Sequence, residues 1–267
     1  MEQIAPRTVK SPKFNRALPG VYLIGAGPGA ADLITVRGAR ILADADIVFY
    51  DALIDISMLE WCSGTKLVQV GKRCGSHSSS QHFINKQLVD AAIKDSVVVR
   101  LKGGDPLIFG RAQEEIDALE KANIRYEIVP GITTALAASA QLKQPPTTRE
   151  LSRTLTLTTL PGRCAHADHK TAIYYMVRDQ LSEVATTLIA QGYSVGTPVC
   201  LMESVSLPSQ RSFGCTLYDL RLGDIHHHFL DRQPVVVMVG EVYRQKLRTL
   251  NPFIELKTQF NVLQEAS

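Results

Sequence analysis

The sequence lacks the features that mark secreted, disulfide-stabilised and membrane-spanning proteins. It has five cysteines, an odd number, and no Cys-x-x-Cys pair, so we expect no disulfide framework and a reducing, cytoplasmic location. No apolar run approaches the roughly 20 residues that a transmembrane helix needs, so we expect no membrane partner. The first 17 residues are basic but contain no apolar core, which argues against a secretory signal and predicts a flexible arm.

An excess of charge of one sign is also missing. The 29 basic and 26 acidic side chains leave a formal net charge of only +3 with histidine neutral. A nucleic-acid-binding protein normally carries a strongly basic face, so we expect no nucleic-acid partner, whereas an anionic small molecule is compatible with this charge. With 45% hydrophobic residues in 267, the chain can bury the core of one large domain or two smaller ones.

What the sequence does contain is an alternation of short β-rich segments and amphipathic helical stretches. This order favours an α/β fold with mainly parallel strand pairing. Asp32 is predicted to cap a first helix that runs to Ala45, because an aspartate before an apolar-periodic stretch is a typical helix start. The predicted strands of this half are residues 21–26, 47–50, 67–70, 97–101 and 126–129, and the further helices are 81–94 and 112–122.

A polar, proline-containing stretch at residues 143–150 interrupts the pattern, because it can continue neither a helix nor a strand. We therefore place a domain boundary there. Beyond it, strands are predicted at residues 154–159, 172–176, 198–202 and 235–239, with a helix at 180–191. The predicted units are an arm at 1–17, an N-terminal α/β domain at 18–143, a C-terminal α/β domain at 151–250 and a tail at 251–267, each domain having a mixed or parallel sheet flanked by helices.

Three glycine-rich loops directly follow predicted strands: GAGPG at 25–29, GKR at 71–73 and GGDP at 103–106. Ligands of open α/β sheets bind at the carboxyl ends of the strands, so these loops are the first candidates for a site. In the GGDP loop, adjacent glycines would let a ligand approach the backbone while Asp105 supplies a negative charge. That combination suits a cationic ligand such as S-adenosylmethionine, and a plain turn with a capping aspartate is the alternative.

The first loop also resembles a dinucleotide-binding fingerprint. Gly25, Gly27 and Ala30 satisfy the G-x-G-x-x-G/A pattern between a strand and a helix. Against this interpretation, Pro28 has no amide to donate to a pyrophosphate, and Asp32 would place a carboxylate where the phosphate should bind. A tight strand-to-helix turn is therefore favoured over a dinucleotide oxidoreductase.

Five phrases occur in order along the chain: GAGPG, FYDALI, VGKRCGSHS, RLKGGDPLIFGR and VPGITTA. On these phrases the sequence resembles the uroporphyrinogen-III C-methyltransferases of the tetrapyrrole methylase superfamily, from about residue 21 to 242. The resemblance implies a two-domain tetrapyrrole methylase-like α/β fold that forms a homodimer. It also implies methylation of uroporphyrinogen III at carbons 2 and 7, through precorrin-1 to precorrin-2, for sirohaem or corrinoid synthesis. The implied methyl donor is S-adenosylmethionine, and no metal is required.

The resemblance also assigns residues. Asp51 and Lys72 correspond to the proposed proton acceptor and proton donor of the family. The substrate carries eight carboxylates, and the basic residues in or beside the loops are Lys72, Arg73, Arg100, Lys102, Arg111 and Arg149. Because arginine binds carboxylates in a bidentate manner, Arg73, Arg111 and Arg149 are the predicted substrate-binding residues. The implied methyl-donor pocket is lined by Pro28, Gly103, Gly104, Asp105, Ile108, Thr133, Thr134, Met176 and Val205.

Several positions depart from the pattern of the family. Val177 and Val205 occupy positions that are usually glycine, and Ala112 and Gln113 replace two glycines after Arg111. If the backbone at such a position has a positive φ, a valine there costs on the order of 1 kcal/mol or more and weakens donor binding. The alternatives are therefore an impaired or non-catalytic family member that binds the tetrapyrrole or the donor, or another tetrapyrrole C-methyltransferase.

Two histidine-bearing stretches, CAHADH at 164–169 and HHH at 226–228, invite a metal interpretation. Neither has a zinc-ligand spacing with a matching partner pair, so surface histidines are favoured and no metal is expected. Cys74, next to Lys72 and Arg73, is either a reactive thiol or a packing residue.

Overall fold

The computed structural model describes residues 16–62, 64–70, 81–94, 96–159, 170–223, 229 and 233–250. The strands of the first half are β1 (Gly20–Gly25), β2 (Ile47–Asp51), β3 (Lys66–Val70), β4 (Val97–Lys102) and β5 (Tyr126–Val129). The helices that accompany them are α1 (Val36–Ala43), α2 (Gln81–Ala92), α3 (Ala112–Lys121) and α4 (Thr134–Leu142). The strands form one parallel sheet in the order β3-β2-β4-β1-β5, which confirms the predicted segments and pairing.

Apolar side chains cover both faces of this sheet, which explains why its strands are almost continuous hydrophobic runs. Successive residues of a strand point to opposite faces. Leu23 of β1 accordingly packs in a cluster with α2 and α3, whereas the next residue, Ile24, packs in a cluster with α1 and the 3-10 turn at Ile56–Trp61. The sheet is thus the middle layer of a three-layer unit.

Helix α1 begins later than predicted. Thr35, not Asp32, is its capping residue: the Thr35 backbone is extended, with φ −69° and ψ 148°, and Thr35 Oγ1 accepts a hydrogen bond from Gly38 N at 3.1 Å. Asp32 lies in a separate 3-10 turn, Ala31–Leu33. The prediction was wrong because aspartate and threonine are both good capping residues, and the sequence between β1 and α1 offers both.

The second half builds a mixed sheet from β6 (Thr154–Thr158), β7 (Lys170–Tyr174), β8 (Pro198–Glu203), β9 (Arg211–Thr216) and β10 (Val235–Val239). Their order is β6-β7-β10-β8-β9, with β6 and β7 parallel and the other pairs antiparallel. Helices α5 (Leu181–Ala190), α6 (Leu217–Leu222) and α7 (Arg244–Leu250) complete this half. The sequence predicted the helix at 180–191 and four of these strands, but missed β9, α4, α6 and α7.

Helix α4 joins the two sheets. In the chain it follows β5 of the first sheet, but its small residues Ala135 and Ala138 pack against Val236 and Met238 of β10 in the second. Since α4 precedes the polar stretch at 143–150, the packing of the second half begins before the predicted domain boundary. The domain limits themselves stay a prediction.

Two further observations bear on the expectations from composition. Within the described ranges, no helix has both the length and the apolar character needed to cross a bilayer. Cys62, Cys200 and Cys215 are buried free thiols.

Candidate functional site

A short backbone bridge joins two of the glycine-rich loops at the carboxyl ends of β1 and β4. Gly104 N donates a hydrogen bond to Gly27 O at 2.7 Å, and Gly27 N donates to Gly104 O at 3.2 Å. Gly27 and Gly104 have φ values of 83° and 68°, which residues with a Cβ rarely adopt. The structure therefore brings the GAGPG and GGDP loops together, edge to edge.

Packing at this edge is tight around Gly25 and open around Gly103. A Cβ on Gly25 would lie 2.5 Å from Gly131 Cα and 2.7 Å from Gly104 O, which are both backbone atoms. Gly103 is exposed, and no described residue beyond its chain neighbours places a heavy atom within 4 Å of where its Cβ would be. A ligand therefore has access to the backbone of the GGDP loop.

Two amides of the GAGPG loop and that of the next residue, Ala30, donate within the protein. Ala26 N and Gly27 N donate to carbonyls of β4 and the GGDP loop, and Ala30 N donates to Ser206 Oγ at 3.0 Å. Pro28 has no amide. A pyrophosphate site needs free amides at the start of a helix, and α1 begins well beyond this loop, so the geometry disfavours the dinucleotide interpretation.

Asp105 fixes the GGDP loop. Its Oδ1 accepts a hydrogen bond from Leu107 N at 2.8 Å, and its Oδ2 accepts one from Gly131 N at 3.0 Å. The carboxylate thus acts as the capping group of a turn, which was the plainer of the two interpretations. Each carboxylate oxygen retains a second lone pair, so contact with a cationic ligand stays a prediction.

Tyr175 connects the second sheet to the start of α4. Its hydroxyl lies 2.7 Å from Thr133 Oγ1 and accepts a hydrogen bond from Ala135 N at 3.2 Å. Burial raises the pKa of Tyr175, so the hydroxyl remains protonated. Its ring contacts that of Phe109, with centroids 5.2 Å apart and planes tilted by 56°. Thr133, a predicted donor-pocket residue, is therefore fixed at the junction of the two sheets.

Where this chain lacks the glycines that are usual in the family, the positive φ angles belong to neighbouring residues. Val177 has a φ of −109°, and Val205 is not among the described residues with a positive φ. Both valine side chains are buried in the apolar clusters of the second sheet. Positive φ values occur at Met176 (56°), Ser204 (51°) and Arg111 (55°) instead. The anticipated cost of a valine at positive φ therefore does not apply to Val177 or Val205.

A network of buried charges lies beneath the same edge. Arg100 and Lys102 of β4 are each 3% exposed, and Glu115 of α3 is fully buried. Arg100 Nε donates to Glu115 Oε1 at 2.9 Å, and Lys102 Nζ donates to Glu115 Oε2 at 2.8 Å. Arg100 Nη2 donates to Asp51 Oδ1 at 2.5 Å. Arg100 and Lys102 are therefore not available to an anionic substrate.

The ionisation of the two cations differs. Burial, together with repulsion from Arg100, lowers the pKa of Lys102, although Glu115 opposes this shift. Burial also opposes the charge of Arg100, but the carboxylates of Asp51 and Glu115 outweigh it and raise the pKa of Arg100. Arg100 thus remains a permanent cation at the centre of the network.

The other predicted residues are exposed, begin α4 or lie outside the described residues. Arg111 is exposed and donates two hydrogen bonds to Glu114, at 2.7 and 2.8 Å. Arg149 is exposed in the linker, Ile108 is exposed after the GGDP loop, and Thr134 is the first residue of α4. Among the described residues no group of three or more side chains could hold a metal ion. Lys72, Arg73, Cys74 and both histidine stretches lie outside the described residues.

The sequence profile of the tetrapyrrole (corrin/porphyrin) methylases matches residues 20–221. The chain belongs to the tetrapyrrole methylases. It is 37% identical over 243 residues to a uroporphyrinogen-III C-methyltransferase of Cyanidium caldarium, which covers 85% of this chain and 95% of that protein. It is 40% identical over 232 residues to a uroporphyrinogen-III C-methyltransferase of Pseudomonas aeruginosa, which covers 84% of this chain and 94% of that protein.

A solved structure has the same fold as this tetrapyrrole methylase. It is the uroporphyrin-III C-methyl transferase of Thermus thermophilus complexed with S-adenyl homocysteine, with a TM-score of 0.70 and 31% identity. The match covers 84% of this chain and 93% of that one. The family resemblance and the α/β fold class inferred from the sequence are both confirmed.

Sequence interpretation of this tetrapyrrole methylase missed Glu115 and Tyr175. Glu115 lies on the buried stripe of α3 with Ala112, Ile116 and Leu119, at helical spacing. A carboxylate on such a stripe is a usable signal, because a glutamate is almost never fully buried unless it is paired. No comparable signal marks Tyr175, since a tyrosine after a strand is equally common in an ordinary core.

Proposed function

We propose that this tetrapyrrole methylase transfers methyl groups from S-adenosylmethionine to carbons 2 and 7 of uroporphyrinogen III. The product would be precorrin-2, formed through precorrin-1, for sirohaem or corrinoid synthesis. The observation that carries the proposal is the identity of 37% and 40% to two uroporphyrinogen-III C-methyltransferases over 85% and 84% of the chain. The family profile includes strands of both sheets, so the similarity is not confined to one half.

The residues at the carboxyl edge of the first sheet fit a bound methyl donor. Among the described residues beyond its chain neighbours, none lies within 4 Å of a Cβ on Gly103, and the nearest atom to a Cβ on Gly104 is Thr133 Cα at 3.9 Å, so a ligand can lie against this backbone. S-adenosylmethionine supplies an electrophilic methyl group on a sulfonium. The proposed pocket consists of Pro28, Gly103, Gly104, Asp105, Ile108, Thr133, Thr134, Met176 and the backbone of Val205.

Side chains of this protein supply the proton transfers and the binding of the acidic ring. Asp51 ends β2 with a side chain that is 32% exposed, which suits a proton acceptor that must reach the substrate. Lys72 is the proposed proton donor. Holding two substrates in reacting geometry can account for about 7–11 kcal/mol of the barrier. The residues proposed to bind the substrate carboxylates are Arg73, Arg111 and Arg149.

We further propose that the protein is a cytoplasmic homodimer that needs no metal. The buried free thiols Cys62, Cys200 and Cys215 support a reducing location. The contact between Thr133 and Tyr175 supports a cleft shared by the units at 18–143 and 151–250. Light scattering on the purified protein would test the dimer.

The test is an anaerobic reaction of purified protein with S-adenosylmethionine and uroporphyrinogen III, followed by mass spectrometry. We expect two S-adenosylhomocysteine molecules for each precorrin-2. Asp51→Asn should bind the donor normally and lose most turnover, whereas Asp90→Asn, on the exposed face of α2, is the matched control.

Three outcomes would contradict parts of the proposal. Donor binding without either product would indicate a non-catalytic family member. Turnover only with a precorrin would indicate another tetrapyrrole C-methyltransferase. Unchanged kinetics of Asp51→Asn would remove Asp51 from the reaction.

A further inference from the structure

The four charged side chains beneath the carboxyl edge are balanced, with two cations and two carboxylates. Three of them, Arg100, Lys102 and Glu115, have side chains no more than 4% exposed, whereas that of Asp51 is 32% exposed. Burying ionised groups is costly unless each is paired. Asp51 is therefore the member of this network whose side chain reaches solvent, and the other three are buried behind it.

The interior of the network leaves Arg100 little freedom. Glu115 accepts at Arg100 Nε, and the Leu101 carbonyl accepts at Nη1 at 3.1 Å. Glu115 is itself held by Lys102 on its other oxygen. Since a guanidinium is planar and rigid, these bonds fix the direction of Nη2, which donates to Asp51 Oδ1.

We propose that Arg100, Glu115 and Lys102 are positioning residues that keep the Asp51 carboxylate aimed at the substrate. This proposal rests on the proposed role of Asp51 as proton acceptor. The three buried side chains act on the reaction through the bond from Arg100 to Asp51.

The proposed role differs from a purely structural one in what it changes. Loss of the bond from Arg100 should misplace the Asp51 carboxylate without removing it. A misplaced proton acceptor lowers kcat while both substrates still bind, whereas a loss of the fold would weaken binding as well.

The experiment compares kcat and KM for Arg100→Gln and Glu115→Gln. In Arg100→Gln kcat should fall by on the order of 100-fold, because the carboxylate is no longer aimed, while KM for either substrate changes by less than about twofold. Glu115→Gln removes the charged partner that orients Arg100, so kcat should fall there too with KM kept. The control is Arg244→Gln, which loses an exposed two-bond pair with Glu241 and should keep the wild-type kcat and KM.

A second readout separates failure of this proposal from failure of the proposed function. Carbon-13 NMR of aspartate carboxyls at one pH, with Asp51 assigned by its loss in Asp51→Asn, reports the surroundings of this carboxylate whether or not the wild-type protein makes precorrin-2. The Asp51 resonance should move in Arg100→Gln and in Glu115→Gln and stay in place in Arg244→Gln. A resonance that stays in place in both network variants, or a wild-type kcat in both, would overturn the proposal. If Arg100→Gln does not fold, Glu115→Gln decides alone, and an Asp51 resonance that stays in place overturns it.

Discussion

Substitution of Gly25 by alanine tests the tight packing at the carboxyl edge of the first sheet. The added methyl carbon would lie 2.5 Å from Gly131 Cα, 2.6 Å from Gly131 N and 2.7 Å from Gly104 O. Real Cβ atoms essentially never approach other heavy atoms below 3.0 Å. All three contacted atoms are backbone, so no rotamer change relieves the clash, and the loops must separate. Overpacking of this kind costs about 1–3 kcal/mol or more.

In a chain of this size 1 kcal/mol lowers Tm by roughly 2–4 °C, so circular dichroism should show Tm lower by about 2–12 °C in Gly25→Ala. Gly103→Ala is the matched control, because the same methyl group meets no described residue within 4 Å beyond its chain neighbours and should change stability by no more than about 0.5 kcal/mol. If Gly103 lies against the donor, the control should keep its Tm and bind S-adenosylhomocysteine more weakly in calorimetry. A wild-type Tm for Gly25→Ala would refute the packing argument, and a lowered Tm for Gly103→Ala would refute the open edge.

Three further predictions concern stability. Thr35→Ala should lower the free energy of unfolding by about 1 kcal/mol in urea, through loss of the α1 cap, while Asp32→Ala should change it by about 0.5 kcal/mol or less; the reverse order would restore the aspartate as the cap. Tyr175→Phe leaves buried polar groups at the start of α4 without a partner, including Thr133, so it should cost about 1–3 kcal/mol and weaken S-adenosylhomocysteine binding. Normal binding with normal Tm would contradict that role. Burial raises the pKa of Cys200 from 9.0 to about 12, so the folded protein keeps a proton that the unfolded chain releases. This contribution to stability is complete below about pH 9 and is lost as pH rises towards about 12, so Cys200→Ala should flatten the decline of unfolding free energy across that window. Equal slopes for Cys200→Ala and the wild-type protein would show that the thiol does not contribute.

The strands were predictable where both faces of a sheet are covered. Buried parallel strands such as β4 and β1 are nearly continuous apolar runs, and the turn residues around them mark their ends. Strand β9 was not predictable in this way, because it lies at the edge of its sheet and its sequence RSFGCT mixes exposed polar residues with buried ones.

At the site, the sequence indicated which loops matter but not how their side chains are used. In the sequence, Arg100 and Lys102 follow an apolar run, as the exposed cations of a loop also do. Their burial becomes evident only from the hydrogen bonds to Glu115, which is distant in the chain. The condition for backbone strain at Val177, a positive φ, is not met, and the reason is local. The turn keeps its positive φ one residue earlier, at Met176, which leaves the valine free to pack in the core.

Helix α4 follows the first sheet in the chain but packs against the second, and this decides where the protein can be divided into two fragments. A break in the polar stretch at 143–150 would leave α4 on the first fragment, with the alanine face that normally contacts Val236 and Met238 exposed to water. A break between β5 and Thr133 would instead send the helix with the sheet that it covers. Fragments divided before Thr133 should therefore be the more soluble pair and the better starting point for reassembly.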